Sequence, residues 1–216
     1  MQRQETDSPD RKILDRDMMT RCIAIAVRSG EEGEYPYGVV IGRAGKVVAE
    51  STNRVAREHD VTRHAEVVAI SQAQKSLGTV SLDDCVIYVS AEPCVYCSYA
   101  IRESRISRLV YALRSPHMGG VSKWNVLTDE DLSKTMPEVF DPPPEIIAGF
   151  MAQEVERALL KWNPLVWGVI MKRGLFVAGS LETVRAREPD TDPRRNSARR
   201  LLAFLRRTVF DRFGRS

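Results

Sequence analysis

Cysteine and histidine are scarce in this chain. Its 216 residues include four cysteines (Cys22, Cys85, Cys94, Cys97) and three histidines (His59, His64, His117). A structural zinc knuckle is thereby excluded, because no second closely spaced pair accompanies Cys94 and Cys97. Long apolar runs are also missing. Nothing approaches the roughly 20 residues that cross a bilayer, so no membrane span is expected. The first ten residues are polar and lack the core of a secretory signal. No internal repeat is visible. What remains, 43% hydrophobic and 28% charged residues, describes a soluble globular chain with one ordinary domain plus extensions.

Two of those cysteines and one histidine form a pattern. Arg63-His64-Ala65-Glu66 is followed by Ser90-Ala91-Glu92-Pro93-Cys94-Val95-Tyr96-Cys97. His64, Cys94 and Cys97 offer one nitrogen and two thiolates, and three protein ligands leave zinc a fourth position for water. If Pro93 opens a helix, Cys94 and Cys97 share a face with Cβ atoms roughly 5–6 Å apart, close enough for one ion. A helix N-terminus also favours both thiolates. His64 and Glu66 stand two apart and converge only in the first turn of a helix, which Asp60 and Thr62 are suited to cap. Zinc is therefore expected between two helix N-termini, with Glu66 free to move protons. A thioredoxin-like redox pair is the competing reading of Pro-Cys-x-x-Cys, but it has no use for His64 and Glu66. Cys22 and Cys85 lie in apolar runs and read as inert packing residues. Thiolates reserved for a metal suit a reducing compartment, so the cytoplasm is expected.

These residues resemble the zinc signature of the cytidine deaminase superfamily. Tyr35-Pro36-Tyr37-Gly38-Val39-Val40-Ile41 is similar to a strand of guanine deaminases and bacterial tRNA adenosine deaminases. Asn53, Asp60 and Thr62 resemble the lead-in of the same branch, and Ile101 to Ala112 its next helix end and strand. The likeness covers about residues 15–115, and loosely to 165. It implies a zinc-dependent hydrolytic deaminase, usually a homodimer. By resemblance, Asn53 hydrogen-bonds the base and the Ala65 N–H faces one of its polar atoms. Glu66 takes a proton from the metal-activated water and passes it to the ring nitrogen and then to the departing amine.

Along the chain, residues 1–12 read as a disordered lead. Asp15 or Asp17 is suited to cap a first helix, which carries Met18, Met19, Cys22, Ile23, Ala26 and Val27 before Gly30. Tyr37 to Gly42 and Lys46 to Ser51 read as strands around Arg43-Ala44-Gly45. The His64 helix runs to Gly78. Cys85 to Ser90 lacks polar alternation, as a central strand does, and Arg108 to Leu113 is a further strand. This order puts helices on both faces of one mixed sheet. With the resemblance, the fold expected is α/β, three-layer α-β-α around a five-stranded sheet. Glu145 to Trp162 reads as one helix, with Ile146, Phe150, Val155, Leu159 and Trp162 on one side.

Residues 13–180 make up the expected catalytic domain, 181–196 a linker, and 197–216 a basic amphipathic helix. Residues 181–216 carry 10 Arg against 5 acidic residues, whereas the preceding 180 carry 22 basic against 24 acidic. Such a helix suits docking on this chain or its dimer mate, and secondarily RNA or a membrane surface. The loop Arg114 to Trp124 places His117, Met118 and Trp124 as candidate walls for a base. Arg63 beside the metal histidine, and Gly119-Gly120-Val121-Ser122-Lys123-Trp124 in place of the small-residue stretch of the tRNA enzymes, disfavour polynucleotide docking. A free nucleobase or nucleoside is preferred, a guanine-type purine first and cytosine second. tRNA adenosine is the alternative. An inactive zinc-stabilised nucleic-acid-binding module is the reading from another class, and Glu66 argues against it.

Overall fold

The computed structural model describes residues 9–178. The linker over 181–196 and the basic helix over 197–216 lie outside the described residues, as do residues 1–8. Helix α1 (Pro9–Glu31) is longer than expected and corrects the disordered lead for residues 9–12. Asp15 does not cap it. This residue lies mid-helix and is 4% exposed, turned inward toward the guanidinium of Arg108.

Strands β1 (Gly38–Arg43) and β2 (Lys46–Thr52) pair antiparallel around Ala44 and Gly45, whose φ values of 47° and 78° give the two-residue turn favoured in hairpins. A short helix, α2 (Val55–Glu58), precedes α3 (Ala65–Leu77), and Gly78 ends α3 in the left-handed conformation. Strand β3 (Cys85–Ala91) leads into α4 (Val95–Glu103), and β4 (Arg108–Leu113) follows. The sheet order is β2-β1-β3-β4, with β3 antiparallel to β1 and parallel to β4.

The fifth strand comes from a stretch expected to be helical. Residues Glu145–Ala148 form β5, parallel to β4 at the sheet edge. Gly149 (φ 80°) and Met151 (φ 55°) then reverse the chain, and α6 (Ala152–Trp162) begins only afterwards. The four-residue spacing of Ile146 and Phe150 mimics a helix, yet β4 without a neighbour would leave a row of unpaired backbone groups. The β-branched pair Ile146-Ile147 supplies the missing partner. Between β4 and β5 lie a 3₁₀ turn (Val126–Thr128) and α5 (Glu130–Thr135). Buried Arg102 of α4 donates to Val126, Asp129 and Asp141 carbonyls and so gathers this connection. The last helix among the described residues, α7 (Pro164–Lys172), is capped by the Asn163 side chain. Asn-Pro is a helix-start signature that the sequence reading passed over.

The strands alternate between two cores, one on each side of the sheet. Val39, Ile41, Ile87, Val89, Leu109 and Tyr111 pack with Ala69, Ile70 and Ile101 of α3 and α4. Val40, Tyr88, Val110 and Ala112 face Met19, Cys22, Val155 and Trp167 of α1, α6 and α7. Three layers result, because a strand's period of two offers apolar residues to both faces.

Candidate active site

The site lies where β3 hands over to α4, against the start of α3. His64 is the residue just before α3 (φ −63°, ψ 146°) and Cys94 the one just before α4 (φ −67°, ψ 169°). Extended backbone at these positions turns both side chains toward the gap between the helix ends. Cys97 lies in the first turn of α4, and Glu66 in the first turn of α3. Their spacing of two from His64 to Glu66 is thus resolved in the way expected. Asp60 and Thr62 do not cap α3. The Asp60 carboxylate accepts from the Thr62 N–H (2.8 Å) and hydroxyl (2.7 Å), forming a local turn instead.

The ligand geometry fits zinc. Cys94 Sγ lies 3.6 Å from Cys97 Sγ and 3.6 Å from His64 Nδ1, and Cys97 Sγ lies 3.3 Å from the same nitrogen. Tetrahedral bonds of about 2.3 Å to sulfur and 2.0–2.1 Å to nitrogen require separations of roughly 3.8 Å and 3.5 Å. Among the described residues, no other trio of His, Cys, Asp or Glu converges this way. The electrostatics agree. A hydrogen bond from Cys97 and the His64 ring pull the Cys94 thiol down to about 4. Its neighbour Cys97 is raised, first by that same bond and then by burial. The proton of the pair thus stays on Cys97 and bonds the Cys94 thiolate, and a bound dication would displace it.

Glu66 is 7% exposed and stands outside the ligand trio. Burial, and next the charge on Cys94, push its carboxyl from 4.5 up to about 7. A carboxyl balanced near neutrality is suited both to take and to return a proton. Ala65 is fully buried at the first position of α3, where a backbone N–H has no intrahelical partner. Asn53 is 3% exposed, and its amide donates to Glu34 Oε2 at 2.9 Å. The same Glu34 carboxylate accepts from the Ala56 and Arg57 N–H groups, so it fixes Asn53 and opens α2 at once. Sequence reasoning missed Glu34, which sits among three glutamates with nothing to single it out.

The loop residues are less gathered. His117 is exposed, with Nε2 lying 3.9 Å from where a Cβ of Gly174 would stand. Trp124 is 54% exposed, under the Lys123 ammonium at 6.0 Å. Neither belongs to the metal cluster. Tyr96, which the sequence reading left unassigned, sets its ring perpendicular to His64 with centroids 5.6 Å apart.

Comparison with known proteins agrees with this geometry. A model of the cytidine and deoxycytidylate deaminase zinc-binding region matches residues 12–113. The tRNA-specific adenosine deaminase of Aquifex aeolicus is 40% identical over 109 residues, which are 50% of this chain and 72% of that protein. The chain belongs to the cytidine and deoxycytidylate deaminase family. It is a zinc-dependent deaminase. Another relative, the guanine deaminase of Bacillus subtilis, is 47% identical over 97 residues, or 44% of this chain and 61% of that protein. A solved structure from a study of A-to-I editing by tRNA:A34 deaminases superposes with a TM-score of 0.58 at 31% identity, covering 66% of this deaminase and 99% of that chain. The mixed five-stranded sheet and its flanking helices are thus those of the family. No described helix is long and apolar enough to cross a membrane.

Proposed function

We propose that this deaminase hydrolyses the exocyclic amine of a free nucleobase or nucleoside, a guanine-type purine first and cytosine second, in a reducing compartment such as the cytoplasm. The observation that carries this reading is the charge at the mouth of the site. Arg63, next to His64, is held between Glu58 Oε2 (3.2 Å) and Asp60 Oδ2 (3.1 Å). Arg54 pairs with Glu58, and Arg57 with Glu32. Neutralised arginines offer little to a polyphosphate backbone, whose binding rests on unpaired positive charge. A small neutral base needs none.

His64, Cys94 and Cys97 would hold the ion, which when bound supplies Lewis-acid activation of a water. Glu66 then serves as the proton carrier twice over. It moves the water's first proton to the ring nitrogen and its second, from the hydroxyl added to the ring carbon, to the amine that leaves as ammonia. Burial on α3 keeps its carboxyl poised for both. Asn53, locked by Glu34, holds the base, and the Ala65 N–H faces a polar atom of the ring. His117 and Trp124, exposed on the loop after β4, supply the outer wall. A second copy of the chain is the partner we infer, on the exposed Val95, Tyr96 and Tyr99 of α4.

Adenosine in tRNA is the second reading, favoured by the Aquifex relative and by the 10 arginines over 181–216. Ammonia release from free bases and nucleosides, run beside inosine formation on tRNA, separates the two. Activity on tRNA alone would overturn the first.

A further inference from the structure

Glu92 lies two residues before the ligand Cys94 and has no part in the chemistry above. Its carboxylate is 4% exposed and collects four donors. Oε2 accepts from the Ser115 N–H (2.8 Å) and the Ser122 hydroxyl (2.7 Å). Oε1 accepts from the N–H groups of Val121 (2.9 Å) and Ser122 (2.6 Å). All four come from the loop after β4, from its two ends. The loop in turn lies on the metal ligand. Gly119 forms a bridge with Cys94, and the Gly120 N–H donates to the Pro93 carbonyl at 2.9 Å. A Cβ on Gly119 would come within 2.6 Å of both Glu92 carboxylate oxygens, so the packing has no slack.

We propose that Glu92 is a positioning residue that fixes the Cys94 ligand by clamping the Ser115–Ser122 loop across it. A buried carboxylate accepts only, and every group facing this one donates, so the clamp closes in one arrangement. Charge-assisted bonds of this kind are about twice as strong as neutral ones. Groups outside the ligand set that orient a ligand commonly alter metal affinity about 10–100-fold when changed.

The test is metal holding by the full chain, measured by chelator competition for zinc and by the visible absorption of the cobalt(II)-substituted protein. Glu92→Gln keeps the volume but turns an amide N–H₂ toward groups that themselves donate. It is expected to weaken zinc by about 10–100-fold and to alter the cobalt spectrum, with the folded fraction by circular dichroism unchanged. Ser122→Ala removes one donor of four and is expected to give a smaller loss in the same direction. Parental zinc affinity and spectrum in folded Glu92→Gln overturn the proposal, since a role in folding alone would leave both untouched. If Glu92→Gln is recovered unfolded, Ser122→Ala decides, and parental zinc affinity there overturns it. No readout depends on which base is deaminated.

Discussion

Arg108 of β4 and Asp15 of α1 face each other between helix and sheet in a two-pronged ion pair, with Nη1 and Nη2 each 2.7 Å from a carboxylate oxygen. Tyr88 donates its hydroxyl to the same Asp15 at 2.7 Å, and Glu145 closes on Arg108 Nε at 3.1 Å. The pair joins α1 to β4 over 93 residues of sequence, and both side chains are about 95% removed from water.

Asp15→Ala is therefore expected to strand the buried Tyr88 hydroxyl and to leave the Arg108 guanidinium with Glu145 as its remaining acidic partner. Breaking one side of such a pair typically costs about 3–5 kcal/mol. Denaturant unfolding of the variant should show a loss of this size. A loss under about 1 kcal/mol would place the pair with ordinary surface bridges.

Glu66→Gln should separate metal binding from turnover. Glu66 stands outside the proposed ligand set of His64, Cys94 and Cys97, so zinc content is expected to stay stoichiometric while ammonia release falls by about 10²–10⁴. Cys97→Ala should lose the zinc and the activity together. Metal analysis beside the rate assay checks both, and near-parental turnover in Glu66→Gln would remove Glu66 from its role.

The raised Glu66 carboxyl predicts a pH dependence in metal-free protein. Folded, the group holds its proton up to about 7, whereas the unfolded chain loses it near 4.5. The unfolded state binds fewer protons between those values, so this group's contribution to stability falls as pH rises through the window. The limiting slope is about 1.4 kcal/mol per pH unit. Unfolding free energies of the parent minus those of Glu66→Gln should decline from pH 4.5 to 7. A flat difference means the carboxyl ionises normally.

Gly38→Ala should be poorly tolerated. A Cβ there meets the Cys22 carbonyl oxygen at 2.4 Å and the Ala26 nitrogen at 2.6 Å, both rigid backbone of α1. Overpacking against backbone costs roughly 1–3 kcal/mol or more. A lower melting temperature with unchanged zinc binding is the expected result.

The chain alone determined the cluster of His64, Cys94 and Cys97, the place of Glu66 in the first turn of the adjoining helix and the alternating layers. Ligand spacing and the period of two are local properties, legible wherever the residues are adjacent in sequence. Helices do start after His64 and Cys94, but not by the local chemistry expected, since Asp60 and Thr62 cap nothing and Pro93 lies outside α4. Only the tertiary structure decided what depended on distant partners. Asp15 reads as a cap until Arg108 arrives from 93 positions away, and Ile146-Ile147 reads as helix until β4 offers an open edge. Glu34 and Glu92 look like any other glutamates until the folded loops turn their N–H groups onto them. Buried charge is placed by what pairs with it, and pairing across such separations leaves no pattern in the sequence.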